Sequence, residues 1–363
     1  MSLEQLETVF NPRSIAVVGG LSRPLEFGGY LYAMHLVDDG YDGQIYFIEP
    51  KCQEVLGITT YPSLKEVPGS IDYVICCIRA TNIPNLLREC AEKDVKVVQI
   101  FTGRLSETGD ETAIELEREI LRVARGLGIR LIGPNCLGVY NPRHGISFDF
   151  DFPREPGVLG VMFQSGASSS EFIHYASLRG IRFSKVVSYG NALDLNESDF
   201  LEYLCQDPET KIITAYIEGI KEGTRFFNTL SRAASIKPVI ILKGGKSEAG
   251  TRAVASHTAS LAISGRVWQT VLKQAGAIEA QNLADMIDIV TAFYFLPPIV
   301  GTRVGIVGGA GARSVMSADA FEETGLTVVP LPPSIRQEVK NKAPEIGDWI
   351  GNPADASIMD GNF

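Results

Sequence analysis

Ser14-Ile15-Ala16-Val17-Val18-Gly19-Gly20-Leu21-Ser22 reads as a short buried strand running into a glycine turn. A helix is expected to begin near Gly28-Gly29. Glycine at such a turn lets backbone approach a ligand, and the helix N-terminus beyond it favours a phosphate. The same alternation continues outward from this stretch. Gln44–Ile48, Asp72–Ile78, Lys96–Phe101 and Arg130–Gly133 are β-branched, apolar runs, with helical patterns at Ile83–Lys93 and Glu111–Leu127 between them. Buried strands alternating with helices predict a parallel, doubly wound α/β sheet.

A break falls between Asn141 and Gly157, after which the alternation restarts. Strands are expected at Val158–Phe163, Phe183–Ser188, Ile212–Ile217 and Val239–Lys243, and a closing helix at Leu283–Phe295. Pro297-Pro298 marks a second boundary, followed by a strand over Arg303–Val307 and the turn Gly308-Gly309-Ala310-Gly311. The expected units are 1–142, 150–296 and 300–363. The third has room for about two strand–helix pairs, short of the ~100 residues of a compact domain. Either the chain continues past Phe363 or another polypeptide completes that sheet.

The 363 residues carry 33 Lys and Arg against 43 Asp and Glu, a formal net charge of −10. That balance argues against a non-specific nucleic-acid binder, which needs a basic field. No apolar run approaches the ~20 residues of a membrane span. The first residues, Met1-Ser2-Leu3-Glu4, do not read as a secretory leader. Six cysteines without metal-ligand spacing read as small core residues in a reducing, cytoplasmic setting, and no metal site is expected in this chain.

Three glycine turns follow strands. At the first, the full Gly-x-Gly-x-x-Gly dinucleotide pattern is absent, yet Glu49 ends the second strand where a ribose-binding acid of an NAD enzyme would stand. Ser22, Arg23 and Lys51 are candidate phosphate contacts; a tight turn with solvated charges is the plainer alternative. The second turn, Gln164-Ser165-Gly166-Ala167-Ser168, offers hydroxyls and helix N-terminal amides to an anion. Simple N-capping by serine accounts for it about as well. A Gly-x-Ser-x-Gly elbow is absent, so a hydrolytic serine is not supported. The third turn reads as structural.

Of the four histidines, His35 and His174 fall on helical patterns and His144 in a boundary loop. His257 lies in Ala253-Val254-Ala255-Ser256-His257-Thr258-Ala259-Ser260, a loop of small residues near Lys243, Lys246 and Arg252. A neutral imidazole can act as a nucleophile, and a carboxylate can hold its second nitrogen. Glu218, ending the strand Ile212–Ile217, stands on the carboxyl edge of the sheet where open α/β folds bind ligands. A structural loop histidine and a solvated glutamate fit the composition equally well.

Several ordered motifs together resemble the nucleoside-diphosphate-forming acyl-CoA synthetases, relatives of the succinyl-CoA synthetase α subunit. They are Gly133-Pro134-Asn135-Cys136-Leu137-Gly138, Gly190-Asn191-Ala192-Leu193-Asp194, Glu197-Ser198-Asp199-Phe200-Leu201, Tyr216-Ile217-Glu218-Gly219, Lys243-Gly244-Gly245-Lys246 and Ser256-His257-Thr258-Ala259-Ser260. The resemblance implies a Rossmann-like CoA-binding domain, a flavodoxin-like ligase domain and the start of a second one. It implies CoA contacts from Gly19, Gly20, Ser22, Arg23, Lys51 and Arg79, with Thr102, Pro134 and Asn135 near the thiol. It implies His257 as the phosphoryl-accepting nucleophile, Glu218 as its orienting acid, and Ser165, Gly166 and Ala167 as the phosphate cradle. The implied substrates are CoA, a small carboxylic acid and ATP or ADP with Mg²⁺. The nucleotide and metal would be bound mainly by an ATP-grasp subunit or domain outside this chain, in an oligomer. The chain departs from relatives at Gly20, Glu49 and Ala192, which leaves a non-catalytic CoA-binding module partnering an ATP-grasp protein as the alternative. A nicotinamide oxidoreductase rests on Glu49 and the first sheet alone.

Overall fold

A computed structural model describes residues 3–22, 28–250, 252, 254, 265–298, 300–308, 311–342, 344 and 351–355. The chain divides into two units, Met1–Leu296 and Pro297–Phe363.

The first unit opens with α1 (Leu3–Phe10), β1 (Ser14–Val18), α2 (Gly29–Asp38), β2 (Gln44–Ile48), β3 (Glu54–Val55), β4 (Ile58–Tyr61), β5 (Tyr73–Cys76), α3 (Ile83–Glu92), β6 (Val97–Ile100), α4 (Glu111–Gly126) and β7 (Arg130–Ile132). These build a seven-stranded sheet in the order β3-β4-β2-β1-β5-β6-β7. β1, β5 and β6 are buried along their whole length, as a strand covered by helices on both faces must be. Next come β8 (Gly138–Tyr140), β9 (Pro156–Phe163), α5 (Gly166–Leu178), β10 (Phe183–Ser188), α6 (Glu197–Gln206), β11 (Ile212–Ile217), α7 (Gly223–Ile236), β12 (Val239–Lys243), α8 (Gly265–Ala275), β13 (Ile278–Ala280) and α9 (Leu283–Phe295). They form a six-stranded sheet in the order β13-β12-β11-β9-β10-β8.

The expectation of purely parallel sheets needs correction. β3 pairs antiparallel with β4, and β8 pairs antiparallel with β10, Val139 facing Val187. β8 belongs to the glycine-rich segment that closes the first sequence unit, yet it forms the edge of the second sheet. Its three residues are too short for a periodic signal, and so is the hairpin of β3 and β4. Helix α5 begins at Gly166, so His174 lies well inside it.

The two sheets are stitched by main chain. Leu193 N–H donates to Gly133 O at 2.8 Å and Leu195 N–H to Leu131 O at 3.1 Å. Asp194 between them accepts from Arg130 Nε at 2.6 Å and from Leu131 N–H at 3.1 Å. Buried Gln99 on β6 ties the start of β8 to the first sheet, donating to Leu137 O at 3.0 Å and to the Tyr32 hydroxyl at 3.1 Å. Gly138 has φ +81°, and a Cβ there would lie 1.9 Å from Gln99 Oε1, so that residue must be glycine.

The second unit has two short parallel pairs, β14 (Arg303–Val304) with β16 (Thr327–Val328) and β15 (Val307–Gly308) with β17 (Ala354–Asp355), plus α10 (Gly311–Glu323) and α11 (Pro333–Lys342). The single strand expected over Arg303–Val307 is split. Asn352 intervenes, accepting from Ile306 N–H at 2.8 Å and donating to Val304 O and Val329 O at 2.7 Å. Gly309 and Ala310 of the third turn lie outside the described residues.

Candidate active site

The carboxyl ends of β9, β11 and β12 lie side by side, with Phe163 opposite Tyr216 and Ile217 opposite Lys243. Each strand runs into one of the motifs singled out by sequence. β9 ends in Gln164-Ser165-Gly166-Ala167, β11 in Glu218-Gly219 and β12 in Gly244-Gly245.

Ser165 caps α5, its hydroxyl accepting from Ser168 N–H at 3.2 Å. The amides of Gly166 and Ala167 occupy the first turn, where no acceptor exists within the helix, and the helix dipole adds positive potential there. Serine capping is therefore compatible with an anion meeting these amides. A Cβ at Gly166 would meet Leu137 Cγ at 2.8 Å, so glycine lets the segment before β8 close on this turn.

Glu218 is buried, and its carboxylate accepts from the Tyr216 hydroxyl at 3.2 Å. Its backbone is held by Gln164, whose buried Oε1 accepts from both Glu218 N–H and Gly219 N–H, the latter at 3.1 Å. One amide side chain thus ties the phosphate-type turn to the candidate orienting acid. From the far side, the buried Lys243 ammonium donates to Glu218 O at 2.7 Å and to Gly244 O. Burial lowers the Lys243 pKa, Glu218 partly offsetting the loss, and the ammonium lies 6.0 Å from the Trp268 ring. Gly244 leaves room for this packing, since a Cβ there would lie 2.5 Å from Tyr216 Oη.

A cavity of about 730 Å³ opens against this edge. Gln164, Ser165, Gly166, Ala167, Ser170 and Asn191 line it from the second sheet. Phe101, Gly103, Asn135, Cys136 and Leu137 line it from the carboxyl end of the first sheet and the segment leading to β8, and Asp149 from the connecting loop. Burial raises the Cys136 thiol pKa, so it serves as lining rather than as a nucleophile. Asn191 is placed by its own turn: Asn191 N–H donates to Pro134 O at 3.0 Å and Nδ2 to Glu107 Oε2 at 3.0 Å. Gly190 has φ +55°, and a Cβ there would lie 2.3 Å from Pro134 O.

The structure thus brings Asn135, Ser165, Gly166 and Ala167 to one cavity, with Glu218 one hydrogen-bonded residue behind them. Pro134 is buried and contributes its carbonyl to Asn191 rather than a surface to the cavity. The Thr102 hydroxyl is turned away, donating to Ile78 O at 2.6 Å, while its neighbours Phe101 and Gly103 face the cavity. Gly19, Gly20, Ser22, Lys51 and Arg79 lie along the carboxyl ends of β1, β2 and β5. Gly19 and Gly20 have φ +80° and +69°, and a Cβ on Gly29 would lie 1.9 Å from Gly19 O, so α2 approaches the turn as closely as backbone permits. Ser22, Lys51 and Arg79 are exposed there. Glu49 is buried and accepts from Leu21 N–H and Lys51 N–H, both at 3.3 Å, so it braces the turn. Arg23 and His257 lie outside the described residues. Among the described residues, no group of three or more His, Cys, Asp or Glu side chains is placed to hold a metal ion, and no helix is long and apolar enough to cross a membrane.

Sequence reasoning gives no role to Gln164, Asn191, Glu107 or Asp149 as individual side chains. A polar residue ending an apolar strand is a usable signal for Gln164. Glu107 lies 84 residues from its partner Asn191, a pairing that only the fold creates.

Residues 13–142 match the CoA binding domain family, and residues 156–293 the succinyl-CoA ligase like flavodoxin domain family. The chain is 37% identical over 350 residues to acetate–CoA ligase [ADP-forming] II subunit alpha of Pyrococcus furiosus, covering 96% of this chain and 76% of that one. This chain belongs to the ADP-forming acyl-CoA ligases. Against the acetate–CoA ligase [ADP-forming] of Methanocaldococcus jannaschii it is 36% identical over 353 residues, 97% of this chain but 49% of that one. The solved structure of the Ca. Korarchaeum cryptofilum dinucleotide forming acetyl-coenzyme A synthetase 1, in complex with phosphate and ADP, superposes with a TM-score of 0.88 at 32% identity. The match spans 98% of this chain and 76% of that chain. This ligase chain therefore has a Rossmann-like CoA-binding domain followed by a flavodoxin-like one, as the motifs imply. The match of the first domain to CoA binders, together with the bracing role of Glu49, removes the basis for a nicotinamide enzyme.

Proposed function

We propose that this chain is the α-type portion of an ADP-forming acyl-CoA ligase, interconverting acid, CoA and ATP with acyl-CoA, ADP and phosphate. The observation that carries the reading is the single cavity where the CoA-side residues Gly103 and Asn135 meet the helix N-terminus at Ser165–Ala167, with Glu218 held directly behind by Gln164.

In the acid-forming direction, phosphate attacks the acyl-CoA carbonyl. A C–O bond forms, the C–S bond breaks, and the CoA thiolate leaves and takes up a proton. His257 then attacks phosphorus. An N–P bond forms, the bond between phosphorus and the acyl oxygen breaks, and the free acid departs as carboxylate. An ADP oxygen finally takes the phosphoryl group and restores the imidazole. In this scheme the amides of Gly166 and Ala167 stabilise the charge on the transferring phosphoryl oxygens. Glu218 accepts from the second imidazole nitrogen and fixes its tautomer. The glycine turn at Gly19-Gly20, with Ser22, Arg23, Lys51 and Arg79, receives the CoA nucleotide and phosphates, leaving the thiol near Gly103 and Asn135. ATP or ADP and Mg²⁺ are assigned to an ATP-grasp subunit or domain, and the working enzyme to an α/β-type oligomer. Relatives named as alpha subunits, and single-chain relatives about twice as long, support that assignment.

The test is acid-dependent, CoA-dependent ADP release by the chain assembled with its ATP-grasp partner. The wild type is expected to turn over, and His257→Ala to lose at least about 10³-fold. Turnover by His257→Ala at the wild-type rate overturns the scheme. CoA binding without turnover in a correctly assembled complex favours the non-catalytic module, for which the departures at Gly20, Glu49 and Ala192 speak.

A further inference from the structure

One buried acid takes no part in the phosphoryl relay. Glu197 is the first residue of α6, is 1% exposed, and its Oε1 has no hydrogen-bond partner among the described residues. The helix start is built firmly around it: Asn196 accepts from Ser198 N–H at 3.0 Å, and Asp199 reaches back to Asn196 N–H at 3.0 Å. A buried carboxyl with an orphan oxygen is a costly way to fill space, which an apolar side chain fills more cheaply.

Helix α6, which Glu197 begins, packs against β11 and α7, the two elements on either side of the loop that presents Glu218. Against the burial, Glu197's own backbone N–H favours its carboxylate most, followed by the Lys221 ammonium and the Lys221 N–H. That ammonium in turn donates to Ala192 O at 2.7 Å and Asn191 O at 3.4 Å, on the turn that lines the cavity. The Tyr189 hydroxyl, also buried without a partner among the described residues, sits in the field of both Glu197 and Glu218. We propose that Glu197 is a positioning residue that sets the conformation of the Glu218–Lys221 loop, and through it the placement of the Glu218 carboxylate. This deepens the phosphohistidine reading and rests on it.

Burial dominates the electrostatics and pushes the Glu197 carboxyl up to about 7. Asp199, on the same helix and paired with Arg225 of α7, pushes it further up. Burial also lowers the Lys221 ammonium; Glu117 of α4, Glu197 and Asp194 oppose that shift and Arg125 of α4 adds to it. The neutral acid therefore prevails below about pH 7. Ionisation above it draws the Lys221 ammonium toward Glu197 and off the Ala192 and Asn191 carbonyls, and sets a second buried charge near Tyr189 and Glu218, so the loop loosens.

The experiment is the rate of His257 phosphorylation in the assembled ligase from pH 5.5 to 9, for wild type, Glu197→Gln and Glu197→Ala. A parallel arm measures amide hydrogen exchange of the segment 217–222, corrected for intrinsic rates. Glutamine mimics the protonated acid at every pH. It is expected to keep wild-type labelling within about threefold at pH 6 and to lose the alkaline decline, while alanine falls at least about tenfold throughout. CoA affinity is expected to be equal in all three. In the exchange arm, the wild-type loop loses protection above pH 7, and the same loop in Glu197→Gln keeps it. The proposal is overturned if Glu197→Gln declines with pH as the wild type does, or if glutamine and alanine are equally impaired at pH 6. A wild type that takes no label at any pH fells the phosphohistidine reading, and the exchange arm then still decides whether Glu197 governs the loop.

Discussion

Replacing Gln164 by leucine tests the link between the proposed phosphate cradle and the proposed orienting acid, Glu218. Gln164 Oε1 is the acceptor for two buried backbone donors, Glu218 N–H and Gly219 N–H. Leucine has similar volume and stays apolar, so the packing around β9 changes little. The two donors lose their acceptor, and an unsatisfied buried donor costs about 1–3 kcal/mol. The site borders the cavity, so partial access to water trims the sum, and Gln164→Leu is expected to lose about 2–4 kcal/mol in urea denaturation. The loop then relaxes away from β9, and a displacement of about 1 Å at a reacting group costs on the order of 10²-fold in rate. Phosphorylation should therefore fall about a hundredfold while CoA binding at the other sheet is unchanged. Stability within about 0.5 kcal/mol of wild type together with normal labelling would refute the idea that this side chain couples the two elements.

Other outcomes follow from the same contacts. Ser165→Ala removes the α5 cap and is expected to cost about 1 kcal/mol in thermal or chemical unfolding, with weaker phosphate binding measured by calorimetry. Gly190→Ala places a Cβ 2.3 Å from Pro134 O at φ +55°, so the variant should unfold at least about 2 kcal/mol more easily, read as a lower urea midpoint. Lys185→Met strands Asp207 and Glu209, which the buried ammonium holds at 3.0 and 2.6 Å, and should cost about 3–5 kcal/mol near neutral pH. Glu197 supplies a pH dependence. Its folded-state pKa is raised from 4.5 to about 7, so its stability contribution is complete below pH 4.5 and is lost as pH rises through 7. The loss amounts to about 3 kcal/mol. Denaturation curves of wild type and Glu197→Gln should therefore diverge between about pH 4.5 and pH 7, with the wild type falling, and run parallel above that.

Much of this architecture is legible in the residues because its strands are short and rich in apolar, β-branched residues, and several run into a turn that contains glycine. β1, β2, β10, β11 and β12 lie where the patterns put them. Each candidate turn is readable for the same reason, since a strand carboxyl end followed by glycine and serine is a local feature. What escapes is non-local. β8 has three residues and owes its strand state to β10, where Val187 faces Val139, rather than to its own pattern. Thr102 looks like a ligand contact by position, but its hydroxyl finds Ile78 O across the sheet edge. Glu49 looks like a ribose acid, and only the fold shows it bracing the amides of Leu21 and Lys51. Gln164 is visible as a polar strand end, yet its job depends on β11 arriving beside β9.

The central claim, that one imidazole carries the phosphoryl group beside this cradle, is tested most directly by locating the label. The assembled ligase is incubated with γ-labelled ATP and Mg²⁺, and its peptides are sequenced by mass spectrometry under alkaline conditions. The account predicts an acid-labile, alkali-stable phosphoryl group on His257, absent from Glu218→Ala or strongly reduced there. Label on any other residue of this chain, or equal labelling of His257→Ala, would contradict it.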